Sequence, residues 1–443
     1  MRILFDSHGT PIAVTSSKMF ASTVLSKHSN EKPQQLFSVD GEEFVSWGDT
    51  NRYPDDAVMT IGRTGVLSTA VGFKCRTSLG QGVVAMQRNG FGEDGKELLI
   101  PSQDREVIDY LDGYTFLRYA STAFRDLFKF GNAFPIFYFN AKGDIVNIVC
   151  RNARHCRLSR DKRKLLIYPD FMNGQPSTKK DCEIIEMLDE DDPFLDLMTR
   201  KASGKLKNAP IAFPRLQNYY SNTDYYGIPD WDAAYRSGWI DVANMVPRFL
   251  KESYNNAMTM MWHVQIPKSW YDNHFPQKNY NGEKGGIEQR EADIQEFWDD
   301  FEANMTGIEG GAKTIFSEYT TNDMGRSEDK WIIDRLQNEL DAKERLSTSA
   351  AANSEILFSM MINPSTLGAG MPGGSYAGTA GSGSDIRESY LVSVITTCIE
   401  KRQILWPVEL MFQFNGKKGL KLQFKETILT TLNTGNSKED IIS

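Results

Sequence analysis

Met361-Ile-Asn-Pro-Ser-Thr-Leu-Gly-Ala-Gly-Met-Pro-Gly-Gly-Ser-Tyr-Ala-Gly-Thr-Ala-Gly-Ser-Gly-Ser384 has no Lys, Arg, Asp or Glu between Pro364 and Ser384. A helical pattern rich in Ala, Glu, Leu and Ser precedes it over residues 338 to 361, and another follows from Asp385. Compact domains rarely hold a connection this long unless it is a lid, a binding loop or a linker. A linker would be polar and would separate two domains. This stretch lies inside a mostly helical region and sets Met371 and Tyr376 among glycines and serines. Its composition describes a mobile finger that touches a partner without gripping it by charge.

Outward from that stretch, the chain reads as α+β. Residues 1 to about 45 are weakly patterned and suggest an arm or irregular strands. Residues 55 to 79 have apolar positions at helical spacing (Val58, Ile61, Val66, Ala70, Phe73), and Gly80-Gln-Gly82 stops them. Residues 83 to 86 read as a strand. A second helix is expected over 103 to 130, with Val107, Leu111, Phe116, Tyr119, Phe124 and Leu127 buried. Strands follow at 133 to 140, 145 to 150 and 164 to 168. The acidic run Asp189-Glu-Asp-Asp192 and residues 201 to 207 read as solvated loops.

After the turn Tyr225-Tyr-Gly-Ile-Pro-Asp-Trp231, one helix is expected to reach about Tyr254, kinked at Pro247. Trp231, Tyr235, Trp239 and Val242 share one of its faces. Residues 260 to 267, 313 to 319 and 330 to 336 are strand-like, and 288 to 305 form an amphipathic helix. Residues 385 to 406 form a helix that Pro407 ends. Residues 408 to 414 and 420 to 424 then make a hairpin on Asn415-Gly416.

Composition bounds the function. A chain of 443 residues exceeds one hydrophobic core, and its net charge of -8 speaks against a basic nucleic-acid-binding domain. The five cysteines are scattered and form no Cys-x-x-Cys pair, which fits a reducing compartment with small buried or half-buried thiols. The start, Met1-Arg-Ile-Leu-Phe-Asp6, turns polar too soon for a signal peptide, and no apolar run nears the ~20 residues of a membrane helix. No membrane partner is expected.

Catalytic motifs are weak. Gly307-Ile-Glu-Gly-Gly-Ala-Lys-Thr314 nearly spells a phosphate-binding loop, which would make Lys313 and Thr314 the groups of a nucleotide hydrolase. A phosphate-binding loop, however, runs from a strand into a helix N-terminus, and the order here is helix then strand. A hairpin-type turn is the plainer reading. The five histidines have no metal-ligand spacing, and His155 and Cys156 are adjacent, so their side chains would diverge on a strand. No catalytic residue, metal or cofactor is expected. The basic segment from Arg157 to Lys164 reads as an exposed hairpin tip.

The order of several motifs resembles the portal proteins of tailed bacteriophages, the head-tail connector family. Asn51-Arg-Tyr-Pro54 precedes a helix, and Lys129-Phe-Gly-Asn-Ala133 precedes strands around Asn140-Ala-Lys-Gly143. Tyr226-Gly-Ile-Pro229 opens a stem-type helix, and Glu355-Ile-Leu-Phe-Ser-Met-Met-Ile-Asn-Pro-Ser-Thr-Leu-Gly368 is similar to the family's junction of helix and tunnel loop. The resemblance covers roughly residues 47 to 425.

It implies an N-terminal arm and wing over 1–228, a first stem helix over 229–258, a small α/β clip over 259–334 and a second stem helix over 335–361. A tunnel loop over 362–384, a kinked helix with a return hairpin over 385–425 and a short tail over 426–443 complete it. It also implies a dodecameric homo-oligomer at a capsid vertex of the virion, assembled in the host cytoplasm. Its partners would be double-stranded DNA, the major capsid protein, the large terminase and a head-tail adaptor. Met371, Ser375, Tyr376, Thr379 and Ser382 would face DNA, and Trp231, Tyr235, Trp239, Val242, Leu346 and Ile356 would pack the stem and its neighbours. A tail ring that never meets DNA is the structural rival.

Overall fold

A 17-residue helix, Tyr114–Phe130, buries Phe116, Tyr119, Phe124, Leu127 and Phe130 and organises the largest core. In this computed structural model the described residues are 2–5, 11–14, 19–21, 35–91, 97–206, 209–221, 223–257, 260–280, 286–306, 313–319, 331–335, 342–367 and 383–426. The helix packs on the antiparallel pair Asn132–Phe139 and Ile145–Arg151, whose register sets Phe134 opposite Arg151. The short strands Ile211–Ala212 and Leu216–Gln217 take the other edge of Asn132–Phe139. A second antiparallel sheet orders Leu420–Phe424, Val83–Phe91 and Glu97–Pro101, and a third orders Cys156–Leu158, Lys164–Ile167 and Glu183–Glu186. The N-terminal stretch holds antiparallel strands Arg2–Phe5, Pro11–Val14 and Met19–Ala21, then the hairpin Leu36–Val39/Glu42–Val45. The class is α+β, as expected.

Several boundaries differ, each for a local reason. The expected helix over 55–79 is two, Tyr53–Arg63 and Gly65–Leu79, because Thr64 is extended between them. The helix over 103–130 likewise divides at Gly113 into Arg105–Asp112 and Tyr114–Phe130. A Cβ on Gly113 would lie 2.9 Å from the Asp109 carbonyl oxygen. Gly238, with φ +84, separates Asp232–Arg236 from Trp239–Ala257. The run at 189–192 is more than a solvated loop, since the Asp192 carboxylate accepts from Leu195 N and caps an unanticipated helix, Pro193–Ala202.

Pro407 does not end its helix. Gly383–Thr396 and Cys398–Phe414 are separate helices, and Pro407 sits inside the second, so residues 408–414 are not a strand. A proline in a helix interior costs about 3 kcal/mol. Ile404, Leu405, Val408, Met411 and Phe412 are buried around it, and each buried aliphatic or aromatic side chain contributes roughly 1.5–3 kcal/mol. Burial wins. Leu420–Phe424 therefore pairs with Val83–Phe91 rather than with the preceding segment.

Met260–Pro267 lies between Lys313–Tyr319, parallel to it, and Ile332–Arg335, antiparallel. The connection to the parallel strand runs through helices Lys268–His274 and Gly286–Thr306, and Lys313 and Thr314 open that strand; residues 307–312 of the motif expected as a hairpin-type turn lie outside the described residues. This unit has its own core of Val264, Ile266 and Trp270, flanked by Phe297, Trp298, Phe301 and Trp331. No helix among the described residues is long and apolar enough to cross a membrane.

Candidate functional site: the mount of the helix pair

Three separated motifs meet at one place. Gly131, at φ +73, ends the central helix and lies so close to the chain at 227–228 that a Cβ there would stand 2.7 Å from the Ile228 carbonyl carbon. Gly227 is equally constrained, with the Gly131 carbonyl oxygen 2.5 Å from any added Cβ. Only glycine at both positions permits this contact. The Asn132 amide fastens it: its Oδ1 accepts from Gly227 N at 2.7 Å, and its Nδ2 donates to Gly227 O at 3.0 Å. Trp231 Nε1 donates to Lys129 O at 3.1 Å. Trp47 stacks on Tyr226, with ring centroids 4.4 Å apart.

The Asn51 motif joins from the other side. Asn51 Oδ1 accepts from Trp47 N at 2.9 Å and from Arg157 Nε at 2.5 Å. Arg157 is 0% exposed, which corrects the expectation of an exposed tip throughout 157–164; only the turn beyond it reaches solvent. Its guanidinium donates to the Asn51, Arg154 and Cys156 carbonyls and lies 4.0 Å from the Phe171 ring centroid. Burial pushes Arg157 down to about 10, so it stays cationic at neutral pH. Lys74 and Asp230 form a buried pair at 2.5 Å, and Asn218 Nδ2 donates to the same carboxylate at 2.8 Å. Tyr53 OH donates to Asp232 at 3.1 Å, and burial followed by that carboxylate raises the phenol's pKa well above its ordinary value.

From this mount the helix Trp239–Ala257 leaves the body and packs against Ala342–Ser359. Asn244 Nδ2 donates to Thr64 Oγ1 at 2.9 Å and ties its first turns to the helix break at Thr64. Of the side chains expected to pack the stem, Trp231 and Ile356 are buried in the chain's own core. Trp239 and Val242 are half-buried and Tyr235 is exposed. Leu346 lies on the Ala342–Ser359 helix. Met371, Ser375, Tyr376, Thr379 and Ser382 lie outside the described residues.

Charge thins out along the second helix. Between Leu346 and Ser384 the only charged residue is Glu355. Phe358 stands on this segment at 79% exposure. Beyond the loop, Leu391, Ile395, Ile399 and Trp406 are exposed on the two C-terminal helices. A groove of about 410 Å³ beside Trp406 is lined by Phe213, Leu216 and Ile399.

Nothing at the mount is a nucleophile poised beside a base. Cys75 is raised to about 11 by burial, and Cys150 and Cys156 are raised by burial too. Cys398 is exposed, against the expectation of buried or half-buried thiols. No group of metal-binding side chains occurs among the described residues. The arrangement can hold a helix pair at a fixed angle.

No family model and no curated protein matches the chain. Its fold is similar to that of a chain in the virion of a native gene transfer agent particle, at 13% identity and a TM-score of 0.50, over 87% of this chain and 86% of that one. Chains from the necks of empty and native gene transfer agent particles, computed with C6 and C12 symmetry, align over 84% of each chain at 13% identity. Their TM-scores of 0.49 carry no weight. The likeness is one of fold.

Proposed function

We propose that this chain is the subunit of a portal-type ring: a structural protein of a phage-like virion, at a capsid vertex, through whose centre double-stranded DNA passes. The observation that carries this reading is the near-absence of charge from Leu346 to Ser384, beginning inside the second helix of a pair anchored by a glycine-locked mount. In a ring every lining residue is repeated by every subunit, so one lysine becomes a collar of cations. Each phosphate neutralised adds salt-sensitive affinity, and several change it by orders of magnitude. A channel that lets a polyanion slide must leave such groups out.

On this reading residues 1–228 and 385–425 make the wing, 229–258 and 335–361 the stem, 259–334 the clip, 362–384 the tunnel loop, and 426–443 a short tail. Met371, Ser375, Tyr376, Thr379 and Ser382 make weak contacts with DNA. The helix Gly286–Thr306, with seven acidic residues and one basic, gives the clip an acidic face for the packaging terminase and later the adaptor. The wing meets the major capsid protein. The chain performs no hydrolysis; the reversed order of helix and strand around Lys313 supports that assignment. Imaging of purified protein tests the reading. A ring with an axial opening wide enough for a duplex is expected, with twelve copies the expected number; a compact monomer at high concentration overturns it.

A further inference from the structure

Strand Ile145–Arg151 pairs with Asn132–Phe139 on one side, and no described strand takes its other side. Cys150 stands opposite Pro135, which has no N–H to give and whose carbonyl accepts from Phe213 N. The backbone N–H and C=O of Cys150 therefore point to the open edge. A groove of about 510 Å³ is lined by the six consecutive residues 147–152. Neighbours in a strand point to opposite faces, so this groove runs beside the strand rather than over one of its faces. Its other wall is the helix Tyr114–Phe130, from Tyr114 to Arg125. That wall is about 16 Å long at ~1.5 Å per residue, and the strand wall about 17 Å at ~3.4 Å per residue, which suits an extended segment of about five residues.

The groove is cationic. Arg118, Arg125, Arg151 and His155 line it, and no Asp or Glu does. Two carboxylates reach its arginines from outside: Arg125 Nε donates to Asp126, which is fully buried, and Arg151 Nη2 lies 3.4 Å from Glu183. Arg118 is exposed and has no ion-pair partner among the described residues. Asn147 Oδ1 and Arg151 Nε are shut off from solvent and lack hydrogen-bond partners among the described residues. Buried polar atoms are nearly always paired, so both call for a group that enters the groove. The wanted ligand must bring negative charge for the arginines and also donors for the Cys150 carbonyl and Asn147 Oδ1. A phosphodiester backbone has no donor to offer, whereas a peptide with carboxylate side chains has both.

We propose that this groove binds an acidic, extended segment of a partner protein, which adds as a strand along Ile145–Arg151. Its main chain bonds to the open edge, and alternate side chains stand on the helix side, where carboxylates meet Arg118 and Arg125. Charge then sets which segments are accepted. The site needs no ring to form, since one chain supplies both walls.

The test titrates the full chain into a rhodamine-labelled seven-residue peptide of alternating glutamate and valine, read by fluorescence anisotropy. Saturable binding is expected. Arg118→Glu, at an exposed position and with the parent's Tm, should weaken it at least tenfold. N-methylation of the peptide's backbone amides, which keeps the charge and removes the donors, should do the same. No saturable binding, binding indifferent to Arg118→Glu, or equal binding of the methylated peptide overturns the proposal. So does an oligothymidylate that binds more tightly than the peptide and loses its binding with Arg118→Glu.

Discussion

The body and the stretch from Leu346 to Ser384 treat charge in opposite ways. The body takes ions inside and fixes several of them with partners: Arg157 among carbonyls and aromatic rings, Lys74 against Asp230, Asp126 accepting from Arg125 Nε and Ala153 N. The 346–384 stretch keeps a single charge, Glu355, in 39 residues. Buried paired ions hold geometry because any displacement strands them without solvent. On the portal reading proposed above, one region is built to stay put and the other to let a polyanion move past it.

Substitutions can break that contrast, and the largest effect is expected in the body. Arg157→Ala removes a fully buried side chain and strands the Asn51 and Cys156 carbonyls. A loss of about 3–5 kcal/mol is expected in denaturant unfolding, comparable with large-to-small core changes. A loss within ~0.5 kcal/mol, the range of ordinary surface positions, would mean that the buried cation does not fix the mount. Gly131→Ala comes next. Adopting φ +73 with a Cβ costs about 1–2 kcal/mol before the contact with residues 227–228 is counted, and a lowered Tm should report it.

Glu400 gives a smaller and pH-dependent effect. It is buried, with Lys74, Asp230 and Lys401 acting on it, and its Oε2 has no hydrogen-bond partner among the described residues. Burial raises its pKa above the unfolded value. Stability from this group is thus fully present below the unfolded pKa and is lost as pH rises through the folded one. Glu400→Gln should raise Tm modestly at neutral pH, with the gain shrinking as pH falls; a gain that grows in acid would contradict the assignment. Phe358→Ser should change the unfolding free energy of the chain least, within ~0.5 kcal/mol, since Phe358 is largely exposed. A larger loss would show that its side chain packs within the subunit.

Much of the fold was legible because it follows short-range rules. The stripe of Val107, Leu111, Phe116, Tyr119, Phe124 and Leu127 is buried in full, and the strand-like segments 260–267 and 313–319 are strands with those bounds. Long-range packing was less readable. Pro407 looks like a stop until the buried residues on both sides of it are counted. Arg157 looks exposed until Asn51, 106 residues away, is placed against it. The mount itself was written in three motifs with no visible relation; only the closeness of Gly131 to Gly227 shows why both must be glycine.

The central claim, that the 346–384 stretch is kept free of charge so that a polyanion can slide, is tested most directly by putting charge back. Particles carrying Ser375→Lys and Thr379→Lys in the loop should assemble rings as before and package DNA far more slowly, with the defect relieved as salt rises. Packaging at the unaltered rate, with rings intact and no dependence on salt, would contradict the account.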